Sequence, residues 1–389
     1  MNFIDLVSLG QRNESMMKSK KQLSIGLVTL FNVEAGDVFL LNMVKILSGL
    51  SNNLSVLSPG TMLTSTEKIH VYPVPYNIGK GVFAQVFNQI VFQLRVSCKL
   101  ARLAKKVDLW VFFGGEGLLL PLLTIKASRR KVALVLAGWL EKEAEFKSNV
   151  LYKPYSLLKK INCCLADGIT VYSPRLVDDW RLQRHYSKIS IASEHFLDFD
   201  KFKRQIPLRN RPNLLGYIGR LDEEKGILNL LEAIPMILER NHSISFLIGG
   251  DGLLRPKVQK YLKQPKLRGR INFIGWIPHD KLPDYLNKLK LLIIPSYTEG
   301  ISNVMLEAMA CGTPVLATPV GAIPDVIIDE RSGFIMKNNS PECITRNIIR
   351  AINHPKLVSI AENGRSFVMK EFTYERTIEK FRNVLAGLK

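Results

Sequence analysis

The sequence predicts an α/β protein built from two doubly wound domains, and three observations support this prediction. The chain has 389 residues, more than the ~250–300 residues at which a single hydrophobic core stops growing. Short apolar runs alternate with longer amphipathic stretches, which is the pattern of a parallel sheet covered by helices on both faces. The alternation begins again after a polar, basic segment with two prolines around residues 195–213.

The elements fall into two series, one for each domain. The first series predicts a strand at 24–31, a helix at 38–50 and strands at 54–57, 109–113, 132–136, 168–172 and 189–192. The second predicts strands at 214–218, 245–248, 271–274, 291–294 and 315–317, then only helical patterns after Pro355, ending with a helix over about 374–388. The expected organisation is a polar extension without signal-peptide features (1–22), two Rossmann-like domains (23–200 and 201–370) and a C-terminal helix (371–389) that packs back toward the first domain.

The composition is that of a globular protein with an excess of positive charge. Hydrophobic residues make up 47% and charged residues 23% of the chain, which excludes disordered, collagen-like and coiled-coil classes. The 54 Lys and Arg residues exceed the 34 Asp and Glu residues and leave a net charge of +20. This excess predicts an acidic partner, which is nucleic acid, anionic lipid or a phosphorylated substrate. The five cysteines show no C-x-x-C spacing, so neither a disulfide framework nor a zinc site is expected.

Two loops that follow strands of the second series carry cations or glycines. In GYIGRLDEEKGI (216–227), Arg220 and Lys225 flank an acidic turn before a helix that is expected to begin near Glu223. Two cations beside a helix N-terminus suit a diphosphate, although a basic loop that pairs with its own acidic residues remains the alternative. In IGGDGLL (248–254), the glycines allow close approach of a ligand, and a tight β–α turn explains them equally well.

The segment PSYTEGISNVMLEAMACGTPVLAT (295–318) is the most informative one. Ser302 is expected to N-cap a helix that ends at Gly312, with its N-terminus directed into a cleft between the two domains. Glu299 lies in the loop before this helix and Glu307 lies inside it. A carboxylate in such an apolar helix is costly to bury unless it binds something. Vicinal sugar hydroxyls would satisfy it, and a solvated helix face is the alternative.

Together, the motifs GRLDEEKG, GGDG, FIGW and E-x7-E, in this order and at the expected strand ends, resemble retaining glycosyltransferases of family GT4, which have the GT-B fold. The resemblance is strong from residue 214 to about 335 and extends by topology to nearly the whole chain after Ser24. It implies transfer of a hexose from a UDP- or GDP-sugar to a glycan or lipid-linked acceptor, with retention of anomeric configuration. The first domain would bind the acceptor and the second the nucleotide sugar.

The resemblance also assigns roles to individual residues. Arg220 and Lys225 would neutralise the diphosphate, and Glu299 would contact hydroxyls of the donor sugar; these three are the expected catalytic residues. The expected substrate-binding residues are Gly36, Gly219, Gly250, Gly275, Trp276, Ile277, Gly300, Ile301, Ser302, Asn303 and Glu307. In this group, Glu307 would hold the ribose hydroxyls and Gly275–Ile277 would border the nucleobase. Fixed cations and a helix N-terminus stabilise a departing diphosphate, so no metal or other cofactor is expected.

Two features of the sequence fall outside this resemblance. The first domain has a single glycine in EAGD (34–37) and reads AGW at 137–139, where many relatives have a histidine, so no catalytic histidine is expected. The triplet Asp198-Phe199-Asp200 matches the D-x-D motif that binds Mn²⁺ or Mg²⁺ in the other large glycosyltransferase fold. A metal site is not favoured there, because hard cations need a fuller shell of oxygen ligands.

The first domain also carries an amphipathic, basic segment. Residues 95–131 contain nine Lys and Arg residues against two acidic ones, and the preceding stretch 82–96 is rich in Val, Phe, Ile and Leu. An apolar face with cations at one end suits an anionic membrane surface. A core-facing helix with a solvated basic side is the alternative, and the usual behaviour of amphipathic helices favours it slightly. The expected location is the cytoplasm, at the inner face of the membrane if the first interpretation holds.

Two other functions also fit parts of the sequence. A sugar-nucleotide epimerase of similar architecture would also need paired cations and a ribose-binding glutamate, but the motif set matches the glycosyltransferases better. A nucleic-acid-binding protein would use the positive charge, and it would show basic patches interleaved with aromatic residues. The basic runs of this chain contain few aromatics, so no nucleic-acid partner is expected.

Overall fold

In the computed structural model, residues 23–31, 38–60, 63–77, 79, 81–136 and 152–388 are described. These residues form two α/β units. The first unit contains the described residues up to Glu194 together with those from Tyr374 onward, and the second unit is His195–Thr373. The predicted α/β class with two Rossmann-like sheets is confirmed.

The first unit is built on a parallel sheet with the strand order β3-β2-β1-β4-β5-β6-β7. Its strands are β1 (Leu23–Thr29), β2 (Ser51–Ser58), β3 (Ile69–Pro73), β4 (Leu109–Phe113), β5 (Lys131–Val135), β6 (Gly168–Val171) and β7 (Ile189–Ile191). The helices between them are α1 (Val38–Leu50), α2 (Val82–Leu103), α3 (Leu119–Ala127), α4 (Tyr152–Leu165) and α5 (Pro174–Asp179). The order reverses between β1 and β4, as in doubly wound nucleotide-binding folds.

The centre of the first sheet depends on one glycine. Gly26 of β1 lies opposite Trp110 of β4 in the parallel register, and Trp110 is completely buried. A Cβ atom on Gly26 would lie 2.2 Å from the indole ring, far inside van der Waals contact. The absence of a side chain at Gly26 therefore makes room for the largest buried side chain of this core.

The second unit repeats the same topology with the strand order β10-β9-β8-β11-β12-β13. Its strands are β8 (Leu214–Ile218), β9 (Ser245–Gly249), β10 (Ile271–Gly275), β11 (Leu291–Ile294), β12 (Val315–Ala317) and β13 (Phe334–Ile335). Its helices are α6 (Ile227–Arg240), α7 (Arg255–Leu262), α8 (Leu282–Leu286), α9 (Asn303–Ala310), α10 (Ile323–Val326), α11 (Pro341–Ile352) and α12 (Leu357–Glu371). Helix α6 shows why these segments are helical, since residues three and four apart form one apolar face and are buried: Ile227, Leu230, Leu231, Ile234 and Ile237.

The last helix, α13 (Tyr374–Ala386), belongs to the first unit and packs against α1. The Tyr374 hydroxyl donates to the Lys45 carbonyl oxygen at 3.4 Å, and Lys45 Nζ lies 5.0 Å from the centre of the Tyr374 ring. Just beyond α13, Leu388 lies against Gly168 of β6, where a Cβ atom would be 2.6 Å from the leucine side chain. The end of the chain therefore completes the core of the unit with which the described chain begins.

The structure contains two strands that the sequence pattern did not predict. Strand β3 is at the edge of the first sheet and is only partly buried, so its sequence, IHVYP, lacks the continuous apolar run of an interior strand. Strand β13 has only two residues, too few for any periodicity. Both are edge strands, and an edge strand buries fewer of its residues than a central strand does, so its apolar pattern is weaker.

The core-facing interpretation of the amphipathic basic segment holds for only one half of helix α2. Its second half faces the core through Phe92, Val96 and Leu100, so the core-facing interpretation is right there. In its first three turns, residues 82–91, no residue is buried, so that interpretation is wrong for this half. No helix in the described ranges has both the length and the hydropathy needed to cross a membrane.

Candidate active site

The predicted site residues of the second unit gather where the strand order of its sheet reverses. Strands β8 and β11 are neighbours, and the chain leaves them in opposite directions along the sheet, to β9 and to β12. Ligands of open α/β sheets bind at the carboxyl ends of the strands beside such a reversal. The loops after β8 and β11 hold the three predicted catalytic residues, Arg220, Lys225 and Glu299.

The loop after β8 differs from the predicted strand-to-helix turn. A single 3₁₀ turn spans Glu223–Lys225, and α6 begins only at Ile227, so the prediction of a helix from Glu223 was wrong. The interruption is at Gly226, which has a left-handed φ of 67°. A Cβ atom on Gly226 would lie 2.0 Å from the Pro295 carbonyl oxygen, so this glycine brings the loop after β8 into direct contact with the loop after β11.

Lys225 and Glu299 form an ion pair that joins these two loops. Lys225 Nζ lies 2.8 Å from Glu299 Oε1, and the two side chains are only 15% and 10% exposed. The Ser296 hydroxyl donates to the same Oε1 atom at 2.7 Å. Because buried charges are costly unless they are paired and hydrogen-bonded, these contacts hold both groups in one defined position at the edge of the sheet.

Arg220 lies in the same loop but pairs with the acidic residues beside it. Its two terminal nitrogens lie 2.8 Å from Asp222 Oδ2 and 2.8 Å from Glu224 Oε1. These are the contacts of the alternative interpretation, a basic loop that neutralises its own carboxylates, and they hold for Arg220 in this structure. They also fix the orientation of the guanidinium group, and the Arg220 side chain remains 36% exposed. Arg220 therefore stays a candidate for binding an anion through donors that its neighbours orient.

The glycines predicted to contact substrate hold the strand ends together. The Gly219 N–H donates to the Gly249 carbonyl oxygen at 3.1 Å, and the Gly250 N–H donates to the Gly275 carbonyl oxygen at 2.6 Å. Gly250 has a φ of 134°, and a Cβ atom there would be 1.8 Å from the Gly219 carbonyl oxygen. Close approach of the backbone therefore accounts for Gly250, as the tight-turn alternative proposed, whereas a Cβ atom on Gly219 would be no closer than 3.7 Å to its neighbours.

The three residues predicted to border a nucleobase, Gly275–Ile277, have different environments. Ile277 is buried and packs over Gly249, where a Cβ atom would be 2.5 Å from its side chain. Trp276 is 63% exposed, and Gly275 before it has a left-handed φ of 74°. Ile277 thus anchors the loop in the core while the Trp276 ring is available at the surface for stacking.

The loop between β11 and α9 packs against Gly321, which was not among the predicted site residues. The Gly300 carbonyl oxygen accepts the Ala322 N–H at 2.9 Å. Gly321 has a left-handed φ of 58°, and a Cβ atom on it would lie 1.9 Å from the Glu299 carbonyl oxygen. The signal available in the sequence was a glycine shortly after strand β12, but only the fold shows that it faces Glu299.

Helix α9 begins at Asn303 as its predicted boundary required, with Ser302 at the N-cap position. The predicted side-chain cap was wrong, because the Ser302 hydroxyl accepts no capping hydrogen bond in the structure. Ile301 and Ser302 are both buried. The helix N-terminus, with its partial positive charge, follows directly after the loop that holds Glu299.

Glu307 of α9 is buried, as predicted, and its partner is a histidine that the sequence analysis missed. Its side chain is 5% exposed, and Oε1 lies 2.7 Å from His279 Nε2. Lys201 Nζ lies 2.9 Å from His279 Nδ1. An ammonium group only donates, so Nδ1 accepts and Nε2 carries the proton that it donates to Glu307. The result is a Lys201–His279–Glu307 chain of hydrogen bonds.

Burial keeps two further groups at the edge of the site neutral. Burial lowers the pKa of His195 to about 3, and a backbone hydrogen bond with Ile301 opposes this shift only in part. Burial raises the pKa of the Tyr217 phenol well above its ordinary value, and the nearby Glu299 adds to this rise. The Tyr217 hydroxyl donates to the Arg220 carbonyl oxygen at 2.5 Å. The site therefore combines neutral supporting groups with the charged pair Lys225–Glu299.

Other residues singled out in the sequence are not part of this site. Gly36 and the residues 34–37 and 137–139 are outside the described residues. In the triplet that matches D-x-D, Asp198 Oδ1 accepts the backbone N–H groups of Asp200 and Lys201 at 3.0 and 3.1 Å, which makes it the first residue of a turn. Within the described ranges, no three His, Cys, Asp or Glu side chains are grouped as metal ligands.

Known proteins resemble both the whole fold and the second unit in particular. A crystal structure of HepE from Anabaena in complex with UDP superposes with a TM-score of 0.73 and 16% identity, covering 94% of this chain and 100% of that one. At this identity the likeness shows the fold alone. Coverage of nearly the whole of both chains confirms the predicted GT-B fold class with two Rossmann-like domains.

Sequence relatives and a family model also match this chain. An uncharacterized glycosyltransferase of Methanocaldococcus jannaschii is 31% identical over 173 residues, which are 44% of this chain and 47% of the relative. The chain thus spans about half the length of this relative. A second uncharacterized glycosyltransferase of the same organism is 25% identical over 335 residues, 83% of this chain and 82% of the relative. The profile of the family described as glycosyl transferases group 1 matches residues 198–367. Over these residues the chain is therefore similar to the glycosyl transferases group 1 family.

Proposed function

We propose that this chain is a retaining glycosyltransferase that moves a hexose from a UDP- or GDP-sugar to a glycan or lipid-linked acceptor. The observation that carries the proposal is the Lys225–Glu299 pair at the strand-order reversal of the second sheet, at 2.8 Å. It places a cation for a diphosphate and a carboxylate for sugar hydroxyls side by side. The family of residues 198–367 supports the same chemistry, and the UDP complex of HepE supports a nucleoside diphosphate as the leaving group.

In the proposed reaction, the bond between the anomeric carbon and the diphosphate oxygen breaks and negative charge develops on the departing diphosphate. Lys225 and Arg220 stabilise this charge, together with the N-terminus of α9 and the backbone amides of Gly300–Asn303. The acceptor hydroxyl forms the new bond on the same face of the sugar, and a phosphate oxygen of the leaving group takes its proton. No metal ion is part of this proposal, because fixed cations supply the charge.

The remaining residues position the donor. Glu299, held by Lys225 and Ser296, faces the hydroxyls of the transferred sugar. Glu307 accepts hydrogen bonds from the ribose hydroxyls, and the exposed ring of Trp276 borders the base. We assign this reaction to the cytoplasm, where nucleotide sugars and reduced cysteines occur together.

The proposed function is tested by a thermal-shift panel of UDP, GDP and their hexose conjugates, repeated with EDTA present. A bound donor raises the apparent stability by mass action, about 2.7 kcal/mol at a hundredfold excess over Kd. We expect one base to be clearly preferred and its sugar conjugate to be cleaved when an acceptor extract is added, with or without EDTA. Absence of any shift with all nucleotides would contradict the proposal, and strict dependence of transfer on Mn²⁺ would contradict its metal-free form.

Replacing His279 with Phe is expected to weaken binding of the nucleoside diphosphate about tenfold while leaving the maximal rate of transfer nearly unchanged. The substitution keeps the ring contact with Phe202 but removes the hydrogen bond that orients Glu307, and a hydrogen bond to a charged group contributes about 1.5–3 kcal/mol. Calorimetric titration with the nucleoside diphosphate measures the change in binding, and kcat measures the maximal rate of transfer. The control is His354→Phe, which alters a histidine that also lies beside a phenylalanine and a glutamate of the same unit. Tighter binding by His279→Phe would show that His279 competes with the ligand for Glu307.

A further inference from the structure

The first three turns of helix α2 present an apolar stripe to solvent. Phe83 is 86% exposed and Phe87 is 57% exposed. Three more large apolar side chains of the same helix are also exposed, namely Val86, Ile90 and Leu94. We call these five residues the α2 stripe. Such a contiguous exposed apolar surface marks an interaction site more often than an accident of packing.

The geometry of the helix separates this stripe from the core. At 100° per residue, positions 83, 87, 90 and 94 fall on one side of the helix. The side chains that enter the core, Phe92, Val96 and Leu100, fall on the opposite side. From Phe83 to Leu94 the stripe is about 16 Å long at 1.5 Å per residue. The exposed residues are therefore a second face of the helix, which the core of the first unit does not cover.

The neighbouring helix α3 extends the apolar surface. The Leu120 N–H at the start of α3 donates to Gln93 Oε1 of α2 at 3.1 Å, which fixes the two helices side by side. Leu120 and Leu123, one turn apart on α3, are both exposed. The apolar surface thus spans two adjacent helices.

Cations follow the stripe at the C-terminal end of α2. Arg95 donates to the Pro75 carbonyl oxygen at 3.4 Å and Lys99 donates to the Pro73 carbonyl oxygen at 2.8 Å. With Arg102 they border an open groove of about 400 Å³ whose other walls include the apolar Val74 and Leu94. The exposed Lys105 and Lys106 continue the basic end. The sequence contains no acidic residue between Glu67 and Asp108.

We propose that the α2 stripe docks onto an anionic lipid bilayer, lying parallel to its surface, with the cations at the end of α2 binding lipid phosphates. Apolar side chains on one helix face bind the boundary of the acyl chains, and each nearby Lys or Arg adds attraction to anionic headgroups. A groove with apolar walls and three cations fits the phosphate and the first part of an acyl chain of one lipid.

Charge argues against a second copy of the chain as the occupant. In a two-fold symmetric dimer the same surface faces itself, so the basic end of α2 would approach its own copy or other parts of a chain with net charge +20. An anionic bilayer has the complementary charge. The proposal concerns only the first unit and does not rest on the proposed function, although the two together select a lipid-linked acceptor over a free glycan.

The test is flotation of the full chain with vesicles of phosphatidylcholine alone or of an equal mixture with phosphatidylglycerol. We expect binding to the anionic vesicles that weakens as salt is raised, and little binding to the neutral ones. The double variant Phe83→Gln/Phe87→Gln should reduce vesicle binding at least about tenfold, since each Phe carries a large apolar area. A triple variant Arg102→Gln/Lys105→Gln/Lys106→Gln should reduce it by a similar factor on anionic vesicles only.

The matched control is Ile328→Gln/Val358→Gln, which also removes two exposed apolar side chains, 54% and 53% exposed, from the second unit. It should bind vesicles like the wild type. Thermal unfolding midpoints of all variants check folding, and titration with UDP checks the nucleotide site separately. Equal vesicle binding by the wild type and the stripe variant would overturn the proposal, as would no binding by the wild type. A lipid-free dimer that becomes monomeric in the stripe variant would overturn it too, by assigning the stripe to a second copy.

Discussion

Replacing Glu299 with Gln, or Lys225 with Met, is expected to lower the rate of sugar transfer on the order of a hundredfold to a thousandfold, as removal of a positioned group that stabilises charge in a transition state does. The two side chains are 2.8 Å apart and almost buried. Lys225→Met removes the positive charge beside the departing diphosphate, and Glu299→Gln removes the charge that holds Lys225 in place. Initial rates with a saturating nucleotide sugar and acceptor measure the loss.

The double variant separates a joint role from two independent ones. Because residues that act as a unit are strongly non-additive, Lys225→Met/Glu299→Gln should be little worse than either single variant. Arg350→Met serves as the control, since it removes an arginine paired with Asp329 and Glu330 of the same unit at 3.0 and 2.8 Å. Its transfer rate should stay within about twofold of the wild type, because ion pairs of this exposure contribute little. Wild-type turnover in Lys225→Met or Glu299→Gln would remove these residues from the catalytic site.

Substitution of Gly321 by Ala is expected to reduce both stability and transfer. The backbone at Gly321 has a φ of 58°, which costs an L-residue about 1–2 kcal/mol. In addition, the new Cβ atom would lie 1.9 Å from the Glu299 carbonyl oxygen, and such overpacking adds about 1–3 kcal/mol. Relief of the clash moves the Glu299 backbone, so the contact with Lys225 should open and transfer should fall about as far as in Glu299→Gln.

Gly269→Ala is the matched control for this prediction. Gly269 also has a left-handed φ, 73°, but nothing lies within 4 Å of the position of its Cβ atom. This variant therefore isolates the cost of the backbone conformation, and its transfer rate should be that of the wild type. Urea unfolding and initial rates should be measured for both variants. If Gly321→Ala behaved like Gly269→Ala in both, Gly321 would have no part in positioning Glu299.

Much of the fold could be predicted from the sequence because its strands are central and buried. The strands at Leu109–Phe113, Leu214–Ile218 and Leu291–Ile294 have the predicted bounds, since a strand covered on both faces is a short continuous apolar run. The loop after β8 could not be predicted to the same detail. Its 3₁₀ turn depends on the contact between Gly226 and Pro295, two residues far apart in the sequence.

In the site, too, residues within sequence motifs could be predicted, whereas residues that act through contacts with another element could not. The resemblance to GT4 glycosyltransferases assigns Lys225, Glu299 and Glu307 to the site, and the structure brings Lys225 and Glu299 into contact. His279 and Gly321 were missed because each acts through a residue on another element, Glu307 and Glu299 respectively. A histidine after a strand or a glycine after a strand is a common local pattern, and only the packing reveals its partner.

The amphipathic pattern of α2 could not be assigned to the core or to the surface from the sequence. Period and composition describe both faces of a helix, but not which of them meets the rest of the protein. The core contacts of Phe92 and Val96 and the exposure of Phe83 and Phe87 show that the helix has two apolar faces, one in the core and one in solvent.

The position of α13 has a consequence for biosynthesis. The ribosome makes the entire second unit, His195–Thr373, before it makes the helix Tyr374–Ala386 that covers α1 of the first unit. Until translation reaches this helix and Leu388 after it, α1 and the first residue of β6, Gly168, lack part of their apolar cover. The nascent first unit therefore cannot complete its core until some 180 further residues have been synthesised. During this interval its exposed apolar surface is a binding site for chaperones.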